Sequence, residues 1–371
     1  MPLFDLPLDQ LRRYAPTVVE PAGFDEFWQS TLQAAAAPPV LVDVRPEPTD
    51  LRLVDSWDVT FAGFAGDPVR AWYTRPYGVD ERLPVVVEYV GYGRGRGLPH
   101  ERLTWPVAGY SHLLMDARGQ SGLYGAGATP DPHGGAPGGP SPVTRGIMTP
   151  EGYYYRRLIT DAVRAIQAAR ALPGVDPQRV VAAGNSQGGG LALAVAGLVP
   201  DLAAVIATAP FLCHVQRAIE ITDVGVYGEI VNYLAVNRDA EPAVRRTLSY
   251  FDGVNFARRA NAAAHFGIGL RDMVCPPSTG FAAYNQYGAA ATGQPLSDRT
   301  MHVYPFNGHE HGDSTQVRRQ LRWLADVLGT TAVGADRPVP PKLPDSRPDP
   351  TSHLRRGGRA TDTADDGPDR A

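Results

Sequence analysis

The sequence predicts an α/β protein with a mostly parallel central sheet and helices on both of its faces. Two observations lead to this prediction. Short, continuously apolar segments recur along the chain, and such segments are typical of strands that are buried on both faces of a sheet. Segments with apolar residues at positions i, i+3 and i+4 separate them, which is typical of amphipathic helices.

The predicted elements alternate between residues 24 and 328. The segment FDEFWQSTLQAAAA predicts a helix that ends at two prolines, and alternating apolar and polar residues predict antiparallel strands between residues 51 and 73. Six core strands are expected, in the order LPVVVEYVGYG, SHLLMDARG, RVVAAG, LAAVIATAPF, HFGIGLRD and TMHVYPF. The long helix YYYRRLITDAVRAIQAARAL precedes the third of these strands, and a last helix is expected over residues 314–328.

Composition and charge narrow the class of protein. The chain has 371 residues, of which 43% are hydrophobic, and this suffices for one large domain. Its net charge of −4 gives no basis for binding nucleic acid or an anionic membrane, and no run of apolar residues is long enough to span a bilayer. Its first residues lack the features of a secretory signal, so we expect a cytoplasmic protein.

One shift in composition divides the chain. Residues 1–331 are expected to form a single domain, in which an N-terminal helical and antiparallel extension adds to the parallel sheet. From residue 332 to residue 371, Pro, Asp, Arg and Gly largely replace the aliphatic residues. Burial there cannot offset the entropy lost on ordering, so we expect a disordered tail.

A glycine-flanked serine is the first candidate for chemistry. The segment Gly184-Asn185-Ser186-Gln187-Gly188 matches the pattern G-x-S-x-G and lies between a predicted strand and a predicted helix. In that context the serine occupies a tight turn, and the helix N-terminus favours negative charge nearby. The pattern therefore predicts Ser186 as a nucleophile, with a purely structural glycine-rich turn as the other interpretation.

A serine nucleophile needs a neutral imidazole as its base and a carboxylate to orient that base. In α/β-hydrolases these residues follow in the order Ser, acid, His. The loop NGHEHG comes after the last predicted strand, which makes His309 the preferred base and His311 its main rival. Asp272 ends the preceding strand and is the preferred acid, because no clear core strand directly precedes the other candidates, Asp252, Asp298 and Asp313.

An anion site for the substrate's carbonyl oxygen requires two N–H donors. We expect one from the backbone of Gln187 and one from the loop VGYGRGRG, with Tyr92 as the donor. The glycines of this loop do not make the G-x-G-x-x-G pattern of dinucleotide binding. Arg94 and Arg96 in the same loop are either guides for an anionic substrate or solvated loop residues.

The sequence gives less support for a metal site or a disulfide than for a serine nucleophile. The His309-Glu310-His311 segment contains a pair of imidazoles, but no third ligand is evident, so we expect neither a metal nor another cofactor. Cys213 and Cys275 lie among apolar residues. Both a pair of buried thiols and a disulfide are compatible with this setting.

Several motifs together indicate a family. They are Arg118-Gly119-Gln120, the G-x-S-Q-G pattern with Gly184 and Gly188, the His309-Glu310 pair, and longer runs such as TRGIMTPEGYYYRRLITDAVRA, RTLSYFDGVNFA and CPPSTGFAAYNQY. With these the chain resembles the acetyl xylan esterase/cephalosporin-C deacetylase family of carbohydrate esterases over roughly residues 24–312.

The resemblance implies an α/β-hydrolase fold and assigns a role to each candidate residue. Ser186 would be the nucleophile, Asp272 the acid and His309, rather than His311, the base, while Tyr92 and Gln187 would supply the oxyanion hole. It also implies a cytoplasmic homohexamer without a metal that removes acetyl groups from short sugar esters and from cephalosporin C.

Three departures from the family pattern affect the expected pocket. Ser121-Gly122-Leu123-Tyr124 follows Arg-Gly-Gln where relatives often have a nearby tryptophan, Val224-Gly225-Val226-Tyr227 replaces Thr-His-Pro-Tyr, and His-Glu-His-Gly replaces His-Glu-Gly-Gly. They leave the acyl size and the alcohol preference open. The alternatives are a hydrolase of the same fold that cleaves longer esters or peptides, and a non-catalytic binding protein of this fold.

Overall fold

A mixed sheet runs through the computed structural model, which describes residues 4–133 and 141–330. The strands in these residues are β1 (Leu41–Pro46), β2 (Val54–Ala62), β3 (Pro68–Pro76), β4 (Leu83–Tyr89), β5 (Ser111–Met115), β6 (Val175–Asn185), β7 (Ala204–Thr208), β8 (Ala263–Gly269) and β9 (Arg299–Tyr304). Their order across the sheet is β1-β2-β3-β5-β4-β6-β7-β8-β9. The first three strands pair antiparallel, β3 also pairs antiparallel with β5, and all other pairs are parallel.

Helices connect the parallel strands and cover the sheet. In the described residues they are α1 (Leu8–Leu11), α2 (Phe24–Ala35), α3 (Thr104–Val107), α4 (Tyr154–Ala171), α5 (Gln187–Leu198), α6 (Val215–Ile221), α7 (Gly225–Val236), α8 (Glu241–Ser249), α9 (Gly253–Arg259), α10 (Pro277–Gln286), α11 (Ala289–Thr292) and α12 (Asp313–Leu328). The predicted fold class, an α/β protein with a mostly parallel sheet, is confirmed, as are the six core strands.

Alternate residues of β4 pack on opposite faces of the sheet. Val85 and Val87 are fully buried in the larger core together with side chains of α4 and α5. Val86, also fully buried, points to the opposite face, where Trp105 of α3 and Leu324 of α12 pack on the sheet. Both faces are therefore covered, which explains why the sequence of this strand is continuously apolar rather than alternating.

The first strand is absent from the sequence-based prediction. β1 pairs only with β2, at the edge of the sheet, and its residues are half-buried or exposed. An edge strand buries little and needs no apolar run, and the prolines on both sides of LVDVRP favour a loop. The antiparallel extension is consequently one strand larger than expected.

Two other expectations concern residues away from the sheet. Cys213 and Cys275 are both buried and both free thiols, so of the two alternatives the disulfide is wrong. The tail predicted for residues 332–371 lies outside the described residues. In the part of the chain that is described, none of the helices combines the length and apolar character needed to cross a bilayer.

The N-terminal helix α2 is fastened to the domain by aromatic contacts. Trp28 is 1% exposed, its ring meets Phe251 and Phe256 edge to face at 5.5 and 5.4 Å, and its indole Nε1 donates to the carbonyl oxygen of Tyr250 at 3.0 Å. A buried indole with a satisfied N–H combines a large apolar area with a directional contact. Trp28 therefore fastens α2 to the rest of the domain.

We predict that Trp28→Ala lowers the free energy of unfolding by about 3–5 kcal/mol, because it leaves a cavity in a packed aromatic cluster. Urea denaturation followed by circular dichroism measures the change. Tyr77→Ala is the matched control, since Tyr77 is 68% exposed, and it is expected to change stability by about 0.5 kcal/mol or less. Equal effects of the two substitutions would show that α2 contributes little to the stability of the domain.

Candidate active site at the carboxyl edge of the sheet

Ser186 lies in a tight turn between β6 and α5. Its backbone has φ 56° and ψ −119°, a strained combination for a residue with a side chain. Three hydrogen bonds hold it there: its N–H donates to the carbonyl of Thr208 at 3.0 Å, and its carbonyl accepts from the N–H groups of Gly190 and Phe211 at 3.0 Å. The turn places the hydroxyl at the end of a central strand, as the sequence predicts.

The glycines of this segment are required by close backbone packing. A Cβ atom on Gly188 would lie 2.0 Å from the carbonyl oxygen of Tyr89, and one on Gly184 would lie 2.2 Å from the carbonyl carbon of Gly188. Neither contact can be relieved by rotating a side chain, because the atoms that collide belong to the backbone. The G-x-S-x-G pattern is thus the steric condition for bringing β4, β6 and α5 together around Ser186.

The three residues chosen from sequence order form one chain of hydrogen bonds. His309 Nδ1 donates to Asp272 Oδ2 at 2.8 Å, which leaves Nε2 of the neutral imidazole to accept from Ser186 Oγ at 3.0 Å. Asp272 is 1% exposed, and its other oxygen accepts from the N–H groups of Val274 and Cys275 at 2.8 Å. Asp272 is therefore fixed as the acceptor that determines the tautomer of His309.

The rival candidates occupy other positions. His311 lies beside His309 with ring centroids 6.2 Å apart, and neither of its ring nitrogens has a hydrogen-bond partner within the described residues. Burial and the adjacent His309 lower the pKa of His311 to about 4, so its ring is neutral at physiological pH. Asp252 caps α9 and accepts backbone N–H groups of His214, Val215 and Val254, which makes it a structural residue.

Two backbone N–H groups near Ser186 are available to a ligand. Tyr92 follows the end of β4 and lines the same cavity as Ser186, and Gln187 is the first residue of α5. Within residues 4–133 and 141–330, neither N–H has an acceptor. The side chain of Tyr92 points elsewhere: its hydroxyl donates to Glu229 Oε2 at 2.7 Å, and burial raises the pKa of Tyr92 well above its ordinary value.

Gln120 connects the two segments that carry these N–H groups. Its Oε1 accepts from the backbone N–H of Gly93 at 2.7 Å, and its Nε2 donates to Gln187 Oε1 and to the Tyr154 hydroxyl, each at 2.8 Å. Gln187 in turn donates from Nε2 to the carbonyl of Val90 at 3.3 Å. The amide of Gln120 therefore bridges the β4 loop and the start of α5, a role that the sequence motif does not reveal.

Arg118 stabilises the turn that presents Gln120. It is completely buried and donates from Nε and Nη2 to both oxygens of Asp161, at 2.5 and 2.8 Å, and from Nη1 to Asp67 at 2.9 Å. Burial raises the pKa of the Asp161 carboxyl, and the guanidinium opposes that rise. Gly119 follows with φ 61°, which turns the chain so that Gln120 faces the site.

Glu310 shapes the loop that presents His309. Its carboxylate accepts from the Gly308 N–H at 3.0 Å and from Asn307 Nδ2 at 3.0 Å. The backbone N–H groups of Glu310 itself and of Gly308 lower the pKa of this carboxyl, which keeps it ionised. Glu310 is exposed and does not touch Ser186, so it acts on the loop conformation.

The hydroxyl of Ser186 opens into a cavity of about 480 Å³. Arg94 is half-buried and lines this cavity, which is compatible with both interpretations, a guide for an anionic substrate and a solvated loop residue. Arg96 does not, because it is buried, donates to Asp58 at 2.7 Å and stacks 3.8 Å above the Trp72 ring. The expectation that Arg96 guides a substrate, or is solvated, is therefore wrong.

No cluster of three metal-binding side chains occurs among the described residues.

Glu88 is a charged residue of the cavity that the sequence analysis does not identify. It is nearly buried on β4, accepts from Arg102 Nη1 at 2.5 Å, and accepts from His112 Nε2 and Trp105 Nε1 at 3.1 and 3.2 Å. Burial alone would raise its pKa, but these donors and the Arg102 charge lower it to about 2. In the sequence, a lone Glu within the apolar run VVVEYV is the feature that could have identified this residue.

We predict that Glu88 stabilises the domain in a pH-dependent manner. Its pKa is lower in the folded state than in the unfolded chain, so the stabilisation is complete above the unfolded value and decreases as pH falls toward 2. Glu88→Gln is expected to cost about 3 kcal/mol at pH 7, and its difference from the wild type should shrink by roughly half between pH 5 and pH 3. Urea denaturation at each pH measures this, and a difference that stays constant with pH would contradict it.

Comparisons with known proteins identify the family of the chain. The family model described as acetyl xylan esterase (AXE1) matches residues 1–327. The acetyl esterase Axe7A of Xylanibacter ruminicola is 27% identical over 319 residues, which are 83% of this chain and 68% of that protein.

Two solved structures are similar over nearly their whole length. An acetyl xylan esterase from Paenibacillus sp. R4 has 36% identity and a TM-score of 0.79, with 86% of this chain and 99% of that chain covered. Acetyl xylan esterase 1 from Thermoanaerobacterium sp. JW/SL YS485 has 29% identity and a TM-score of 0.77, with 87% and 99% covered. The chain therefore belongs to the acetyl xylan esterase family, a group of carboxylic ester hydrolases with the α/β-hydrolase fold.

Proposed function

We propose that Ser186, His309 and Asp272 form a catalytic triad that removes acetyl groups from small acetylated carbohydrates, xylo-oligosaccharides among them. One observation carries the proposal: an unbroken chain of hydrogen bonds joins the three side chains at a strained turn that opens into a cavity. The nucleophile and base are within the distance at which a proton is transferred directly.

In the first step, His309 Nε2 takes the proton of the Ser186 hydroxyl while Oγ attacks the acetyl carbonyl. Asp272, held by two backbone N–H groups, stabilises the imidazolium that forms. The negative charge on the carbonyl oxygen is stabilised by the N–H groups of Tyr92 and Gln187, each of which contributes about 3 kcal/mol in comparable sites.

The second half of the reaction releases the products in order. His309 gives its proton to the sugar oxygen, the C–O bond breaks, and the alcohol leaves an acetylated Ser186. Water, deprotonated by the same imidazole, then attacks the acetyl carbonyl, and collapse of this second intermediate returns the proton to Ser186 Oγ and releases acetate. No cofactor is needed for any of these steps, because each transfers only a proton or an acyl group.

The substrate class is supported by the relatives. The two similar solved structures are described as acetyl xylan esterases, and the curated relative as an acetyl esterase. Cephalosporin C-like esters present the same acetyl group and belong to the proposal. A hydrolase of the same fold with longer esters or peptides as substrates remains the alternative, and a non-catalytic binding protein is disfavoured by the aligned Ser186, His309 and Asp272.

The assembly and location form the last part of the proposal. The protein is proposed to work as a homohexamer in the cytoplasm, on the basis of the family resemblance of its sequence. Its net charge of −4 gives no basis for a partner such as nucleic acid or an anionic membrane. Sedimentation velocity at several concentrations tests the assembly directly, because a hexamer has six times the mass of the chain.

We predict that the enzyme hydrolyses p-nitrophenyl acetate faster than the butyrate, and the butyrate faster than the octanoate. Ser186→Ala should reduce kcat for the acetate by about 10⁴-fold or more, since the hydroxyl that forms the acyl-enzyme is lost. Stoichiometric labelling of the wild type, and not of the variant, by a fluorophosphonate is expected in parallel. Octanoate turnover equal to that of acetate would remove the deacetylase assignment and retain the triad, whereas activity in Ser186→Ala would remove the triad.

We predict that Gln120 positions the oxyanion donors without touching the substrate. Gln120→Met keeps the side-chain volume but removes the bridge between Gly93 and Gln187, so kcat should fall about 10- to 100-fold with little change in KM. Tyr154→Phe is the control, because it removes one hydrogen bond of Gln120 and the bond from the Tyr154 hydroxyl to the Arg118 carbonyl, but leaves both bridging bonds of Gln120 in place.

Steady-state kinetics with urea denaturation of the same samples separates positioning from folding. A variant that loses stability but keeps its kcat, or equal kinetic losses in Gln120→Met and Tyr154→Phe, would show that Gln120 serves the fold alone.

A further inference from the structure

Two large apolar side chains stand exposed at the rim of the Ser186 cavity. Leu123 is 69% exposed and Tyr124 is 66% exposed, and both line the cavity into which the Ser186 hydroxyl opens. Exposed apolar side chains are ordinary when they occur singly, but two neighbours at the mouth of a binding cavity indicate a contact surface. The reaction at Ser186 does not use either of them.

The backbone of this rim is tied to the oxyanion loop. The N–H groups of Gly122 and Gly95 both donate to the carbonyl of Gly125, at 3.2 and 3.4 Å. Leu123 packs directly on Gly93, where an added Cβ atom would lie 2.6 Å from Leu123 Cδ1. These contacts tie the rim to the loop that carries Tyr92, so a ligand that rests on the rim has a defined position relative to Ser186.

Charged groups lie next to the apolar rim and define its chemistry. Glu229 lines the cavity, where its carboxylate accepts the Tyr92 hydroxyl at 2.7 Å, and Arg94 lines it as well, with a long 3.4 Å contact to Glu101. A lipid chain would gain nothing from a carboxylate and a guanidinium at the entrance. A pyranose ring matches the combination, because it presents C–H groups on its faces and hydroxyl groups around its edge.

We propose that Leu123 and Tyr124 form the binding platform for the sugar part of the substrate, with the Tyr124 ring packed against a pyranose face and with Arg94 and Glu229 beside its hydroxyl groups. This inference rests on the proposed function, since it concerns the alcohol side of the same reaction. It makes Tyr124 a residue that determines specificity for the sugar, whereas Ser186 and its partners determine the chemistry.

The test compares two acetyl esters that differ only in the alcohol. Ethyl acetate has an alcohol too small to reach the rim, and acetylated xylotriose has one large enough to cover it. We expect the ratio of kcat/KM for acetylated xylotriose to that for ethyl acetate to fall about 3- to 10-fold in Tyr124→Ala, through a higher KM for the oligosaccharide. Tyr124→Trp should keep the ratio or raise it.

Tyr77→Ala is the matched control, because Tyr77 is as exposed as Tyr124 but lies away from the cavity, and its ratio should equal that of the wild type. A wild-type enzyme that cleaves ethyl acetate but not acetylated xylotriose would overturn both the proposed function and this inference. A wild type that cleaves both, with an unchanged ratio in Tyr124→Ala, would overturn the inference alone. An unchanged ratio together with a smaller mass in sedimentation velocity would assign Tyr124 to a contact between copies of the chain instead.

Discussion

The backbone turn at Ser186 is the constraint on which the rest of the site depends. A serine with φ 56° persists only where its surroundings fix it, and here β7 and the start of α5 supply the hydrogen bonds. Those bonds bring backbone to backbone, so side chains are excluded from the contact: a Cβ on Gly190 would lie 2.3 Å from the carbonyl oxygen of Phe211. The glycine run from Gly188 to Gly190 follows from this one local geometry.

The anion site needs additional contacts to hold it together, because its two donors come from segments far apart in the chain. Tyr92 belongs to the loop after β4, and Gln187 to the first turn of α5. A buried amide, Gln120, holds both segments, and the buried Arg118–Asp161 pair holds the turn that presents it. A buried ion pair offers little net stability but loses much when one partner is removed, so it fixes geometry more than it adds free energy.

These features differ in how far the sequence could predict them. Ser186 and Asp272 were predictable because each follows a core strand, and strand order also places the loop of His309 and His311 at the same edge of the parallel sheet. The choice of His309 over His311 came from the family resemblance. Glu88 and the bridging role of Gln120 were not, since their partners come from across the sheet and no spacing rule reports them. Strand β1 escaped prediction for a related reason: an edge strand buries too little to leave a pattern.

His311 lies beside the base without adding charge to the site. It adopts φ 39°, a conformation that glycine takes without strain. A cation at this distance from His309 would oppose formation of the imidazolium, but burial keeps the His311 ring neutral with a pKa of about 4. His311 therefore contributes to the packing around the base and not to its electrostatics.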